Sequence, residues 1–336
     1  MVAVCLLVLS GVLSAQGNSE NAFERVKEVQ ERHTEALMAK EGVVGTAVGL
    51  NDRGRGAVLV LLESPGIGGI PQQLEGVPVH PVVTGKIYAL PKPGGSTPTL
   101  SPASRWPRPV PIGVSTGHPA ITAGTIGCRV KAGTSVYALS NNHVYANENN
   151  ATIGDPVLQP GRYDGGASPA DDIGNLTNFV FINFYNPDAP PAQIPLNWVD
   201  AAIASTTLGQ VANATPSNGY GKPKSTTVAA AINMPVKKYG RTTGLTKGKV
   251  YALNATVTVG YGTGRAARFA NQIIITPGTF SAGGDSGSLI VADRVGRNTT
   301  NDRKPVGLLF AGSSFYTIAN PIDAVLNAFG VAIDGE

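Results

Sequence analysis

The feature that most constrains the fold is a change of hydrophobic pattern near residue 108. From there to about residue 318, short apolar runs alternate with Gly, Asn and Asp, and no helical repeat continues. Short runs separated by turn residues are typical of β-barrels and β-sandwiches. The 42 glycines and 25 prolines supply the turns that such folds need. The sequence therefore predicts a mainly β domain over residues 109–336, with one helix at Pro321–Phe329 that Asn320 caps.

Residues 18–90 have a different pattern, which predicts a small α+β domain. Apolar residues recur at helical spacing over residues 19–40, where Ser19 is a candidate N-cap. Every residue of Ala57–Leu62 is apolar, so both faces of that strand need cover. One helix can cover only one face, and we expect the other face to dock on the rest of the chain. The predicted strands are Val43–Leu50, Ala57–Leu62, Val77–Val83 and Lys86–Leu90.

The two remaining segments are a linker and a leader. Residues 91–108 are rich in Pro, Gly and Ser, which predicts a linker between the two domains. Residues 1–17 resemble a signal peptide, which predicts a secreted or periplasmic protein; a buried N-terminal strand is the alternative. No apolar run reaches the roughly 20 residues that a spanning helix needs, so we expect no membrane anchor.

Charge and cysteine content exclude further classes of function. The formal net charge is +4, and the longest basic cluster is Lys237-Lys238, so we expect no nucleic-acid partner. Once a leader is removed, Cys128 is the remaining cysteine, which excludes an internal disulfide and a cysteine-based metal site. We expect no metal and no cofactor.

The strongest chemical signal is Gly283-Gly284-Asp285-Ser286-Gly287-Ser288, which precedes an apolar strand. Glycines permit the tight turn that presents a nucleophilic serine and points backbone N–H groups at a developing oxyanion. The same tetrapeptide Gly-Asp-Ser-Gly also occurs in ordinary surface turns. On its own, this motif leaves both interpretations open.

Two upstream residues complete a candidate triad. His143 follows the buried run Val136–Leu139, and a histidine at the end of a rigid strand can act as a general base. Asp200 lies in an apolar strand, where a buried carboxylate needs a partner, and orienting His143 would supply one. A structural histidine is the alternative. The order is His143, Asp200, Ser286, which puts the first two in one half of the domain and the serine in the other.

These three segments, with Gly240-Arg241-Thr242-Thr243-Gly244, resemble the chymotrypsin-like serine peptidases, and within them the bacterial α-lytic protease and streptogrisin branch. The resemblance covers about residues 109–336 and implies two six-stranded β-barrels with the active site between them. It implies Ser286 as nucleophile, His143 as base, Asp200 as orienting residue, and the N–H groups of Gly284 and Ser286 as oxyanion hole. The implied activity is a serine endopeptidase acting on protein or peptide substrates.

Other implied features concern the residues around the triad. A basic residue is expected to pair with Asp285, with Lys238 at the matching position and Arg241 as a second choice; a surface lysine is the alternative. Phe310 stands where a serine normally supports the triad aspartate, so Asp200 needs another donor. Asn141 and Asn142 replace the small residues that usually precede the histidine.

Phe280, Phe310 and Gly312 are the candidate pocket residues. Phe280 takes the place of the acid that specificity for Arg or Lys would require. These departures leave a catalytically weak or silent binding module as the alternative function. The resemblance also implies that residues 18–90 are a pro-region, with a permanent accessory domain as the alternative.

Overall fold

The computed structural model describes residues 5–89, 101–188, 190, 194–262 and 264–336, with side chains from residue 22 onward. This part of the chain is mainly β, as predicted. Its α-helices are α1 (Cys5–Met38), α2 (Asn142–Tyr145) and α3 (Ile322–Phe329). The strands before residue 90 are β1 (Val43–Leu50), β2 (Gly56–Leu62), β3 (Gln73–Leu74), β4 (Val77–Val83) and β5 (Ile87–Ala89).

The later strands fall into two sets. Those up to residue 206 are β6 (Ser115–Thr116), β7 (Gly124–Thr125), β8 (Cys128–Ala132), β9 (Ser135–Ser140), β10 (Pro156–Leu158), β11 (Asp172–Phe179), β12 (Leu196–Asn197) and β13 (Ala202–Thr206). Those after it are β14 (Pro235–Gly240), β15 (Gly244–Gly260), β16 (Ala266–Thr276), β17 (Leu289–Ala292), β18 (Pro305–Gly312), β19 (Thr317–Pro321) and β20 (Ala332–Ile333).

Two six-stranded units make up the region after residue 109. The first is a sheet in the order β10-β11-β13-β9-β8-β20. The second is a closed ring of β15, β16, β19, β18, β17 and β14, because β15 pairs with both β14 and β16. The chain enters the first unit before the second, and β20 returns to pair with β8 of the first. This topology agrees with the predicted pair of six-stranded units.

The N-terminal strands extend the second unit's sheet. Strand β1 pairs antiparallel with β15, with Gly45 opposite Val257. Strand β2 pairs with β1, and β4 lies parallel to β2. Hydrogen bonding therefore runs without a break from the ring into the region predicted as an N-terminal domain. The boundary at residue 90 stays a prediction.

Strand β2 shows why this region joins the ring. Val58, Val60 and Leu62 face one way and share an apolar cluster with Val29 and Leu37 of α1. The alternate residues Ala57, Leu59 and Leu61 face the other way and share a cluster with residues of the ring, including Val257, Phe269 and Phe310. All six residues of β2 from Ala57 onward are buried. The second face is thus covered by the ring, and its exposure would forfeit about 25 cal/mol for each Å² of apolar surface.

Two helix boundaries differ from the predicted ones. Helix α1 is continuous from Cys5, so Ser19 lies within it instead of capping it. Leu and Ala residues before Ser19 favour helix, which extends α1 towards the N-terminus. Helix α3 begins at Ile322 after Pro321, without a side-chain cap. Asn320 is not its cap, because the Asn320 side chain hydrogen-bonds to Asp200 and Gln272. In the described residues, no helix is long and apolar enough to cross a membrane.

The predicted linker 91–108 is described only from residue 101. Its C-terminal part packs on the first unit. Trp106 contacts that unit's core, and Arg105 Nε lies 2.6 Å from Asp171 Oδ1. Residues 91–100, and the start of the predicted signal peptide at residues 1–4, lie outside the described part of the chain. The leader and the linker therefore stay predictions.

Glu75 lies in the turn between β3 and β4 and links this turn to helix α1. Its carboxylate accepts hydrogen bonds from Arg32 (2.7 Å), Arg25 (3.1 Å) and His33 (3.0 Å). The hydrogen bonds from Arg32 and then His33 lower the pKa of Glu75 from 4.5 to about 2. A carboxylate with a lowered pKa stabilises the fold above its ordinary pKa, and this effect is lost as the pH falls towards the lowered value.

We therefore expect Glu75→Gln to lower the melting temperature at pH 6, by about 1–3 °C, because exposed ion pairs contribute little. The difference from the parent should shrink between pH 4.5 and pH 3. Differential scanning calorimetry across this range measures it. Glu63→Gln is the control, since Glu63 lies 3.8 Å from Lys86 and makes a looser pair. A deficit for Glu75→Gln that is the same at every pH would contradict the assignment.

Candidate active site

His143 is delivered by the first unit. Strand β9 ends at Ser140, and the single turn of α2 then carries the histidine. Strand β13 pairs with β9, with Ala202 opposite Ser140, so Asp200 just before β13 lies beside His143. The His143 side chain is 11% exposed and that of Asp200 is fully buried. The sheet register therefore brings together two residues that are 57 positions apart in the sequence.

Asp200 orients His143 through two contacts. Its Oδ2 lies 2.6 Å from His143 Nδ1, and its Oδ1 accepts a hydrogen bond of 3.2 Å from the His143 backbone N–H. An ionised Asp200 makes His143 Nδ1 the donor, which leaves Nε2 free to accept a proton. Nε2 is buried and has no hydrogen-bond partner among the described residues.

Asp200 is held by three further donors or acceptors. The Tyr261 hydroxyl donates to Oδ2 at 2.7 Å. The Asp200 backbone N–H donates to Asn320 Oδ1 at 3.0 Å, and its carbonyl accepts from Asn141 Nδ2 at 2.7 Å. These contacts supply the donor that the sequence left open when Phe310 replaced a serine. Asn141 thus has a structural role, and Asn142 likewise holds the next loop by donating to the Val180 carbonyl.

Ser286 comes from the second unit, in the turn before β17. Gly284 and Gly287 take φ values of 92° and 93°, which favour glycine over any side chain. A Cβ at Gly287 would also lie 2.3 Å from the Thr125 carbonyl. The Thr125 N–H donates to the Ser286 carbonyl at 2.8 Å, which fixes the turn against β7. The glycines of the motif are therefore required by the turn and its close packing.

The Ser286 hydroxyl donates to the Phe310 carbonyl at 3.3 Å. Ser286 is 1% exposed. Next to it, the Asp285 N–H donates to the Ala282 carbonyl. Among the described residues, the N–H groups of Gly284 and Ser286 have no such acceptor. These are the two groups predicted to bind an oxyanion.

Lys238 is the partner of Asp285, as the first of the two predicted choices. Both side chains are fully buried, with Nζ 3.3 Å from Oδ2. Burial lowers the pKa of Lys238, while the Asp285 charge opposes that shift. Asp285 also accepts hydrogen bonds from the N–H groups of Thr242 (2.8 Å) and Thr243 (3.2 Å). The Gly-x-Thr-Thr-Gly run thus forms a cradle that holds Asp285, the residue before Ser286.

Arg241 does not pair with Asp285, the role for which it was the second predicted candidate. Its guanidinium pairs with Asp164 of the first unit, through Nε at 2.9 Å. Asp164 also accepts a hydrogen bond from the Ser115 hydroxyl at 2.5 Å. The pair joins the two units beside the cradle. Arg241 therefore forms a contact between the two units. Of the two predicted basic residues, Lys238 is the one that pairs with Asp285.

Of the candidate pocket residues, Phe280 follows β16 in a short 3₁₀ turn, and Phe310 lies in β18. The Phe280 and Phe310 side chains are fully buried in two apolar clusters. The Phe310 ring packs on Phe269, with centroids 4.8 Å apart. Gly312 ends β18. Because neither ring contacts solvent, the pocket stays a prediction. In the described residues, no group of three or more His, Cys, Asp or Glu side chains could hold a metal ion.

Comparison with known proteins found solved structures that are similar to this chain. No family model matches the sequence, and no curated protein matches it. A glutamic acid-specific serine protease is 22% identical, over 67% of this chain and 100% of its own, with a TM-score of 0.46. Protease A of Thermobifida fusca is 18% identical, over 68% and 100%, with a TM-score of 0.45. An α-lytic protease homologue is 16% identical, over 66% and 99%, with a TM-score of 0.43.

These similar structures are bacterial serine proteases of the branch that the motifs resemble. Similarity at this level does not establish an activity. What the chain can do chemically follows from its own residues: a buried aspartate, an oriented histidine with a free nitrogen, and a serine on a glycine-rich turn.

We expect Lys238→Met to destabilise the protein by roughly 3 kcal/mol, because it leaves the buried Asp285 carboxylate without its cation. Urea unfolding followed by fluorescence measures the change. Lys247→Met is the matched control: Lys247 also pairs with an aspartate, at 2.7 Å, but its side chain is 61% exposed. An exposed pair contributes about 1 kcal/mol at most. Equal losses for the two variants would show that Lys238 is not a buried counter-ion.

Proposed function

We propose that the chain is a serine endopeptidase with His143, Asp200 and Ser286 as its catalytic triad. The observation that supports this most is the 2.6 Å contact between His143 Nδ1 and Asp200 Oδ2, together with the unpartnered Nε2. A histidine held in this way is prepared to remove a proton from a nearby hydroxyl. The glycine-rich turn supplies that hydroxyl from the other unit.

In the proposed reaction, Ser286 Oγ attacks the peptide carbonyl carbon while His143 Nε2 takes the hydroxyl proton. The Gly284 and Ser286 N–H groups stabilise the negative charge on the carbonyl oxygen. The C–N bond then breaks as His143 returns the proton to the amine, which leaves an ester on Ser286. Water attacks this ester with His143 as base again, and the acid and free Ser286 are released.

One step must precede the attack. The Ser286 hydroxyl has to rotate away from the Phe310 carbonyl, to which it donates at 3.3 Å. Catalytic hydrogen bonds are often loose without substrate and tighten in the complex. The same contact favours the alternative function, a silent binding module in which the hydroxyl stays on Phe310.

Reaction with a fluorophosphonate probe separates these two functions. We expect the parent chain to be labelled at Ser286, because the probe reacts with activated serines. Ser286→Ala and His143→Ala should each lower the turnover of a peptide substrate by roughly 10⁴–10⁶-fold, since triad members act as a unit. Both variants should keep the parent's circular dichroism spectrum.

His118→Ala is the matched control. His118 is also buried, and its Nε2 lies 3.1 Å from Asp155 Oδ2, so it forms a second His–Asp pair with an aspartate outside the triad. Its loss should leave labelling intact. A parent chain that takes up no probe and cleaves no protein would make the silent module the correct function.

We further propose that residues 18–90 are a pro-region that inhibits the peptidase, and that the apolar leader directs the chain to a secreted or periplasmic location. Strand β5 supports the inhibitory role. It pairs antiparallel with the end of β18, with Ala89 opposite Ala311 and Tyr88 opposite Gly312. Phe310 precedes Ala311 in β18, and its carbonyl accepts the hydrogen bond from the Ser286 hydroxyl. Strand β5 therefore occupies a sheet edge on which an extended peptide substrate could pair next to the nucleophile.

We expect cleavage within residues 91–108 to raise the rate of fluorophosphonate labelling, because the cut allows β5 to leave the β18 edge. A specific protease site inserted there provides the cut. The gain should be larger in Gly45→Ala, since a Cβ at Gly45 would lie 2.6 Å from the Thr256 carbonyl and push β1 off β15.

Gly56→Ala is the control for the second substitution, because its nearest neighbour is a Val26 side-chain carbon at 3.2 Å. Equal labelling rates before and after cleavage, in the parent and in Gly45→Ala, would leave residues 18–90 as a permanent accessory region. Mass spectrometry of the natural product's N-terminus gives an independent answer.

A further inference from the structure

Tyr261 is a buried phenol that the sequence did not connect to the triad. It follows β15 directly and is 3% exposed. Its hydroxyl lies 2.7 Å from Asp200 Oδ2, the same oxygen that faces His143 Nδ1 at 2.6 Å. Burial, with a smaller contribution from the Asp200 charge, raises the pKa of Tyr261 well above its ordinary value. The phenol is therefore protonated and donates to the carboxylate.

The Tyr261 ring is fixed on several sides. It makes an edge contact with His143, with ring centroids 6.1 Å apart, and another with Phe184 at 5.1 Å. Phe269 lies beyond it at 6.3 Å and packs in turn on Phe310. The Tyr261 N–H donates to the Arg265 carbonyl at 3.0 Å, which closes the turn between β15 and β16. A hydroxyl on so constrained a ring has little freedom to leave Asp200.

The position of Phe310 explains why a distant tyrosine is needed. Phe310 offers no side-chain hydroxyl, and its ring lies in the apolar cluster that also contains Phe269 and Tyr261. Without Tyr261, the buried Oδ2 would keep only the contact from His143. Leaving a buried charged group short of a donor costs more than an ordinary hydrogen bond.

We propose that Tyr261 is a positioning residue for the triad, which holds the Asp200 carboxylate in the orientation that directs His143 Nε2 towards Ser286. This rests on the proposed peptidase function. The Tyr261 hydroxyl bonds to Asp200 and its ring lies edge-on to His143, so it acts through the carboxylate that orients the histidine. Its hydroxyl, in the turn after β15, supplies the hydrogen-bond donor that the Phe310 side chain lacks.

The test compares Tyr261→Phe with Tyr239→Phe in the full-length, linker-cleaved protein. Tyr239 is equally buried, and its hydroxyl donates to Asn218 Oδ1 at 2.9 Å, away from the triad. We expect Tyr261→Phe to lower kcat for a peptide substrate by about 10- to 100-fold with KM little changed, since the lost bond is to a charged group. Tyr239→Phe should change neither parameter appreciably.

A second readout distinguishes positioning from a general loss of stability. The proton that His143 Nδ1 shares with Asp200 gives a low-field NMR signal, and we expect Tyr261→Phe to shift or broaden it while Tyr239→Phe leaves it in place. An unchanged signal and a kcat within about twofold of the parent would overturn the proposal. If the parent chain shows no turnover, the proposed function fails, but the NMR signal still decides whether Tyr261 orients the Asp200–His143 pair.

Discussion

The structure depends on burying the charge of Asp200. A bare carboxylate in this position would cost several kcal/mol, and each polar atom of Asp200 has a hydrogen-bond partner. The contributors are α2 with His143, the turn after β15 with Tyr261, and β19 with Asn320. Two of these segments belong to the closed ring and one to the first sheet. The requirement to satisfy one carboxylate therefore joins the two six-stranded units at the place where the chemistry is proposed.

A second buried ion pair supports the turn that carries Ser286. Lys238 and Asp285 are both inaccessible to solvent, and the N–H groups of Thr242 and Thr243 complete the shell of Asp285. This turn is therefore anchored on the ion pair. Gly284 and Gly287 take positive φ values in it, and a Cβ at Gly287 would also be too close to its neighbours. Ser286 is therefore held rigidly by the second unit, and His143 is held rigidly by its contacts with Asp200 in the first.

The local sequence pattern was enough to predict part of the fold and the three candidate site residues. The wholly apolar composition of β2 indicated that both of its faces need cover. The order of the His, Asp and Ser segments indicated the three candidate residues. Tyr261 and Asn320 could not be found this way, because their roles depend on which strands meet. Asn320 illustrates the difficulty: before Pro321 it has the pattern of a helix cap, yet β19 carries its side chain to the Asp200 backbone. The predicted start of α1 was also wrong. A residue type that often caps helices, such as Ser19, can lie inside a helix when the residues around it favour helix.

Strand β5 connects the N-terminal region to both supports of the candidate site. On one side it pairs with β15, where Tyr88 lies opposite Gly260, the residue before Tyr261. The Tyr88 ring fills the space that a Cβ on Gly260 would occupy, 2.9 Å away. On its other side β5 pairs with Ala311 and Gly312, next to Phe310. Removing β5 therefore does two things at once: it opens the β18 edge to a peptide, and it frees the strand end that carries Tyr261. If the proposed cleavage removes this region, Tyr261 is held by aromatic packing on Phe184 and Phe269 and by its hydrogen bond to Asp200.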